Sequence, residues 1–208
     1  MNRIISMSVI KRLPRYYRYL GELSGKGVTR ISSRELSRLM DITASQIRQD
    51  LSNFGCFGQQ RYGYNVEMLK DEIAKILGLV RVYTLVIIGA GNLGQALVSY
   101  NRFSMRGFKF IGLFDNDPEL IGKEVSGLTI RHIDDLKEFL DQKKPDIAVF
   151  SMPAESAKGM LDIVLKSDIK GIWNFSHLDI KSTGKVKVQS VHLTDSLMTL
   201  SYMLNISD

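Results

Sequence analysis

The sequence predicts an α/β protein in two parts: an N-terminal winged helix-turn-helix domain and a C-terminal Rossmann-type parallel-sheet domain. Three observations predict it. The net positive charge lies in the first third of the chain, two short capped helices follow one another directly, and a glycine loop joins a strand to a helix. The expected organisation is a winged-helix domain with its connecting helix over residues 1–80, a dinucleotide-binding domain over 81–193 and a terminal helix over 194–208.

The charge distribution is the first guide. Residues 1–80 carry 13 Lys and Arg against 7 Asp and Glu, whereas residues 81–208 carry 15 of each. A basic unit joined to a neutral one suggests separate partners, the first polyanionic, although a solvated basic face would look the same. Composition is otherwise ordinary for a globular protein, with 44% hydrophobic and 24% charged residues. No apolar run approaches the roughly 20 residues a membrane-spanning helix needs. The short apolar stretch from Ile4 to Ile10 runs into a basic cluster without a small-residue cleavage site, unlike a signal peptide. A single cysteine, Cys56, cannot form an intramolecular disulfide and fits a reducing cytoplasm.

In the basic third, residues 11–23 form the first expected helix, with Pro14 tolerable only in its opening turn. Gly25 and Gly27 end it. Ser32 and Glu35 have capping-box spacing for a helix to about Met40, with Leu36, Leu39 and Met40 on its inner face. Thr43 and Gln46 repeat that spacing and open a helix to about Phe54. Only Asp41 and Ile42 separate the two, which is the helix-turn-helix pattern. Gly55 to Tyr64, rich in glycine and aromatic residues, predicts a two-stranded wing, and the amphipathic stretch 66–79 predicts a helix connecting the domains.

The polar positions of helix 43–54 are of the type that reaches bases and phosphates in a major groove: Ser45, Gln46, Arg48, Gln49 and Ser52, anchored by Ile47 and Leu51. Arg12, Arg15 and Arg18, with Lys11, are candidate phosphate contacts. Gln59, Gln60, Arg61 and Tyr62 lie at the wing, where an arginine could enter a narrow minor groove. A three-helix protein-interaction module is the competing interpretation of this segment.

From Tyr83 strands and helices alternate, as in a parallel sheet. Strands are expected at 83–88, 108–114, 146–151 and 170–175, and helices at 92–101, 133–141 and 154–167. The loop Gly89-Ala90-Gly91-Asn92-Leu93-Gly94 follows the first strand and opens a helix. In the dinucleotide fingerprint the first glycine makes the tight turn, the second admits the pyrophosphate and the third lets helix pack on sheet. The amides of the helix N-terminus then face the phosphates. Asp115 ends the second strand, placed to accept the ribose hydroxyls and to repel the 2′-phosphate of NADP, so NAD(H) is the expected cofactor. Ser151 to Ala154 and Asn174 to His177 follow later strands at the same carboxyl edge. Cys56, His132, His177 and His192 show no metal-ligand spacing, so no metal is expected. Nothing resembles an activated serine or cysteine nucleophile, and the chain is not expected to be an enzyme. Helix 194–204 carries an apolar stripe, with Leu193, Leu197, Leu200 and Leu204, that needs a cover.

These residues together resemble the Rex family of redox-sensing repressors over nearly the whole chain. The shared stretches are Arg12-Leu13-Pro14, Tyr16 to Leu20, Gln46 to Gly55, Tyr62 to Val66, the glycine loop, Phe114 to Pro118 and Lys170 to Phe175. The resemblance implies a homodimer in which the C-terminal segment is a dimerisation helix swapped onto the partner. It also implies binding of palindromic double-stranded operator DNA, released by NADH and permitted by NAD+. The candidate cofactor residues are then Gly89, Ala90, Gly91, Asn92, Leu93, Gly94, Tyr100, Asp115, Asn116, Met152, Pro153, Asn174, Phe175 and Leu193.

The chain departs from the family's pattern at four places. His192 stands where the family has an Asp between the cofactor pocket, near Tyr100, and an arginine matching Arg18. His177 replaces a proline, Arg61 a wing glycine and Asn53 an aromatic residue. Rival functions are a Rex-like DNA-binding paralogue with weak or no redox response, an NAD-dependent oxidoreductase using His177, and a CoA-binding regulator.

Overall fold

The computed structural model describes residues 5–54, 58–59 and 63–206, and the chain divides into two compact units, 1–81 and 82–208. The expected domain boundary at 80/81 falls one residue away from this division.

In the first unit α1 (Met7–Gly25) is followed by β1 (Arg30–Ile31), α2 (Ser33–Met40), α3 (Ala44–Ser52), β2 (Gly58–Gln59), β3 (Gly63–Asn65) and α4 (Val66–Ile76). The small antiparallel sheet has the order β1-β3-β2. It therefore contains one more strand than the expected two-stranded wing. β1 is only two residues long and shows no alternation that a sequence could reveal. Ser32 and Glu35 form the complete capping box, with each side chain bonded to the other's backbone amide. At α3 only half of that pattern exists. Thr43 accepts from the Gln46 amide, but the Gln46 side chain turns to Asp50 instead.

Two other expectations are corrected. α1 begins at Met7, so Pro14 lies inside the helix rather than in its opening turn. An interior proline costs about 3 kcal/mol, which the buried stripe of Val9, Leu13, Tyr16 and Leu20 offsets. Leu39 is exposed, leaving Leu36 and Met40 as the inner face of α2. α4 packs within the first unit, where Val66, Leu69 and Ile73 join Leu13, Tyr16, Leu20, Ile31, Ile47 and Leu51 in one core.

Inside that core sits a carboxylate. Asp50 is 0% exposed and accepts from Arg12 Nε at 2.7 Å, Arg12 Nη2 at 2.6 Å, Tyr16 Oη at 3.0 Å and Gln46 Nε2 at 2.8 Å. Burial opposes its ionisation, and the hydrogen bonds and charge supplied by Arg12, Gln46 and Tyr16 outweigh that, so its pKa lies below the ordinary value. Burial, reinforced by Asp50, holds the Tyr16 phenol well above its usual range. The cluster ties α3 to α1.

The second unit contains β4 (Tyr83–Ile88), α5 (Asn92–Ser99), β5 (Phe108–Asp115), β6 (Glu124–Val125), β7 (Leu128–His132), α6 (Leu136–Lys143), β8 (Ile147–Phe150), α7 (Ala154–Leu165), β9 (Gly171–Asn174), β10 (Lys187–Ser190) and α8 (Leu193–Asn205). The sheet order is β10-β9-β8-β4-β5-β7-β6, parallel throughout except for the edge hairpin β6–β7. Without β6, the order counted from β4 is the doubly wound 3-2-1-4-5-6 arrangement, whose switch point lies between β4 and β8. β6, β7 and β10 were absent from the expected strands, and helix 133–141 resolves into a 3-10 turn at Ile133–Asp135 followed by α6. Strand alternation feeds two cores. Val86, Ile88, Phe114, Ala148 and Phe150 face α6 and α7, whereas Leu85, Ile87, Leu113 and Val149 lie on the side of Leu97 and Val98 of α5.

Truncating Asp50 to Ala leaves Arg12 and Tyr16 without their acceptor, and an expected loss of about 3–5 kcal/mol follows from breaking a buried pair. The wild-type contribution is present above the unfolded carboxylate's pKa, near 4, and disappears as pH falls through the lower folded value. Urea unfolding of D50A and wild type, monitored by helical circular dichroism at pH 7 and pH 3, should therefore show a large difference that narrows in acid.

Candidate dinucleotide site and nucleic-acid face

The glycine loop crosses the sheet where β4 and β8 end. Gly89 has φ +102°, and a Cβ there would lie 2.9 Å from the Ser151 carbonyl. Ser151 Oγ donates to the Gly89 carbonyl at 2.8 Å, closing the turn onto the end of β8. Gly94 is packed more tightly still, since a Cβ would stand 2.1 Å from the Gly89 oxygen. Gly91 is the exception. Nothing lies within 4 Å of the position its Cβ would take. Two glycines of the motif are thus demanded by the protein's own packing, and the third borders open space in front of the α5 amides.

Asp115 organises the opposite rim. One carboxylate oxygen accepts from the Ala90 amide at 2.5 Å, and the other from the Asn116 and Asp117 amides at 2.8 and 2.9 Å. The carboxylate pins the glycine loop to the end of β5 while remaining on the wall of a cavity. That cavity, of about 300 Å³, is lined by Gly89, Gly91, Asp115, Asn116, Ile133, Ser151, Met152, Pro153, Ser156 and Met160. Its volume is at the small end for ligand pockets. Apolar walls from Ile133, Met152, Pro153 and Met160 face a polar rim, an arrangement suited to a flat heterocycle carrying a hydroxylated sugar.

Of the sequence-predicted cofactor residues, Gly89, Gly91, Asp115, Asn116, Met152 and Pro153 line this cavity, and Ala90, Asn92, Leu93 and Gly94 complete the loop and the first turn of α5. Tyr100, Phe175 and Leu193 are not among the lining residues. Tyr100 makes an edge contact with Phe103, which in turn meets Phe110 and Trp173, and Trp173 meets Phe175. Leu193 is exposed at the start of α8. Asn174 is buried, and its amide is fully engaged: Oδ1 accepts from Ser176, while Nδ2 donates to the Leu178 carbonyl and to Ser190. Its side chain thus supports the surrounding loop. Ile133, Ser156 and Met160 were missed. Ser156 and Met160 stand four apart on α7, a spacing visible in the sequence, but Ile133 depends on β7, which was not.

In the first unit α3 presents Ser45, Arg48, Gln49 and Ser52 on one exposed face, opposite buried Ile47, Asp50 and Leu51. Arg48 donates to Ser33 Oγ at 3.2 Å, while Arg15 is partly buried and Arg18 exposed. Gln46 and Arg12 are both turned to Asp50. These inward bonds are made to the buried carboxylate, and the Arg12 side chain keeps 30% of its surface exposed. Gln59 belongs to β2, whereas Gln60, Arg61 and Tyr62 lie outside the described residues.

Comparison with known proteins accounts for both halves. Residues 4–52 match the family described as "Putative DNA-binding protein N-terminus", and residues 81–178 match the "CoA binding domain" family. The redox-sensing transcriptional repressor Rex of Caldicellulosiruptor bescii is 53% identical, over 97% of this chain and 93% of that protein. That of Clostridium novyi is 50% identical, over 98% and 97%. The chain belongs to the Rex family. A solved Rex-family structure, RSP in complex with β-NAD+ and operator DNA, superposes with a TM-score of 0.91 at 49% identity, covering 99% of this chain and 94% of that one. RSP in complex with β-NADH gives 0.90 at 47% identity, covering 99% and 96%. Rex relatives are named as repressors, and the oxidoreductase alternative that used His177 falls away.

The glycine geometry separates two roles that one motif combines. Gly94→Ala should destabilise residues 82–208 by about 1–3 kcal/mol through overpacking, seen as a lower urea midpoint in the fluorescence of Trp173, the chain's sole tryptophan. Gly91→Ala should leave that midpoint within about 0.5 kcal/mol of wild type.

Proposed function

We propose that this Rex protein is a homodimeric repressor, acting in the cytoplasm, that holds palindromic operator DNA through α3 and the wing and releases it when NADH occupies the β4–β8 cleft. The observation that carries this is near-complete structural agreement with RSP, whose complexes contain β-NAD+ with operator DNA and β-NADH. The open space at Gly91 and the carboxylate wall at Asp115 support it, since the residues present suit a dinucleotide.

On this reading Gly91 and the first amides of α5 receive the pyrophosphate, and Asp115 accepts from the ribose hydroxyls and discriminates against a 2′-phosphate. Ile133, Met152 and Met160 enclose the adenine. When bound, the cofactor supplies a nicotinamide ring that is cationic if oxidised and neutral if reduced. Release of DNA requires the two cofactor forms to favour the DNA-competent and incompetent dimers unequally, because equal affinity shifts nothing.

The dimer follows from an uncovered surface. α8 contains no buried residue, and Leu193, Leu197, Met198, Leu200, Tyr202, Met203 and Leu204 are all exposed. Such a contiguous apolar helix signals an interface. The face of the sheet that carries Phe108, Phe110, Trp173 and Phe175 is only partly buried, which suits it to receive a partner's α8.

Gel-shift with an inverted-repeat operator should show binding with NAD+ and release as NADH is added, with NADPH and CoA far less effective. Retention of DNA at saturating NADH would reject the sensor in favour of a DNA-binding paralogue without redox response. Arg48→Ala and Gln49→Ala should each weaken operator binding roughly 10- to 100-fold, the effect of about 1–3 kcal/mol per base contact. Gly91→Ala should raise the NADH concentration needed for release more than about tenfold while leaving DNA affinity unchanged, as expected for a group that blocks only the cleft. Log affinity should fall against log salt with a slope of about −0.9 per neutralised phosphate.

A further inference from the structure

We propose that His177 and His192 form a chelating site for a divalent transition metal of the Zn2+ class. The two rings lie 15 residues apart in the chain, too far for any short ligand motif to reveal. In the fold their Nδ1 atoms are 3.4 Å apart, and the rings stack with centroids 5.5 Å apart and planes inclined by 29°. Two imidazole nitrogens bound at about 2.0–2.1 Å to one tetrahedral ion lie roughly 3.3–3.4 Å from each other. The bite required by the metal is therefore present before any metal arrives.

The site is also built from beneath. Asn174, buried at the end of β9, holds both histidine-bearing segments. Its side-chain oxygen accepts from Ser176, its nitrogen donates to Leu178 and Ser190, and its carbonyl accepts from the Val191 amide. His177 is thereby kept at φ +60°, a left-handed conformation that a non-glycine residue adopts only when its surroundings impose it. His192 precedes α8 and makes no side-chain capping bond; the hydrogen bond its Nδ1 shares with His177 is the one an ion would replace. Support of this kind, which orients ligands through a surrounding shell, is what metal sites require.

Without metal, the N–H at one Nδ1 donates a hydrogen bond to the other Nδ1. To bind an ion, the donor ring carries its N–H on Nε2 instead, which leaves both Nδ1 lone pairs free. Among the described residues no group of three His, Cys, Asp or Glu side chains is placed to hold a metal, so the remaining two positions fall to water or to an exogenous donor. The consequence is mechanical. The ion joins the loop after β9 to the residue that opens α8 and stiffens the point from which that helix departs. The site uses neither the cofactor nor DNA as a ligand, so metal binding is measured apart from the sensor function.

The test is titration of the full-length protein with Zn2+ by calorimetry and with Co2+ by visible absorption. The expected result is one ion per chain and a tetrahedral cobalt spectrum. His177→Ala and His192→Ala should each lower affinity at least tenfold, the double variant should add little further loss, and His132→Ala should match wild type. Both rings are exposed, and unchanged urea midpoints will verify that the variants fold. Amide exchange at 193–196 should slow on adding Zn2+ in wild type alone. Equal affinities in wild type and the double variant, or full affinity in either single variant, would overturn the proposal.

Discussion

The close seating of Gly94 against the Gly89 carbonyl is the constraint on which the second unit depends. It brings α5 down onto the carboxyl end of β4, and that contact decides where the helix amides point. Once they are placed there, Ser151 closes the turn from one side and Asp115 from the other. Of the three glycines of the motif, Gly91 alone has open space at its Cβ position. A single added methyl at either end of this arrangement has a different meaning: at Gly94 it collides with backbone, whereas at Gly91 it enters the cavity.

A comparable device operates in the first unit, using charge instead of proximity. Asp50 is wholly buried and its carboxylate receives four hydrogen bonds, from α1 and from α3 itself. A buried ion pair adds little net stability over an apolar substitute, but it penalises misalignment heavily, because any shift strands a charge. The orientation of α3 relative to α1 is therefore tightly specified. Ser45, Arg48, Gln49 and Ser52 inherit that orientation, which a helix held by Ile47 and Leu51 alone would hold less tightly.

The face of the sheet beneath α5 and the C-terminal helix pose the remaining question of cover. α6 and α7 bury one side of the sheet thoroughly, while the other is left with a run of partly exposed aromatic rings. α8 presents apolar residues around much of its surface and buries none within its own chain. His177 and His192 meet at the foot of this helix.

Local chemistry made much of the protein legible. Ser32 and Glu35 announced α2, Thr43 announced α3, and the glycine loop between strand and helix identified the cleft, because caps and tight turns depend on residues adjacent in the chain. Localised charge separated the two units for the same reason. Tertiary structure decided what sequence separation hides. It recruited α4 into the first core, carried Pro14 into a helix interior by burying the stripe around it, and turned Arg12 and Gln46 towards Asp50. It paired β1, β7 and β10, whose short runs acquire meaning only beside a neighbouring strand, and it brought His177 to His192. A sequence specifies which groups can bond to near neighbours. Which distant groups share a buried space is fixed only when the hydrophobic faces close on one another.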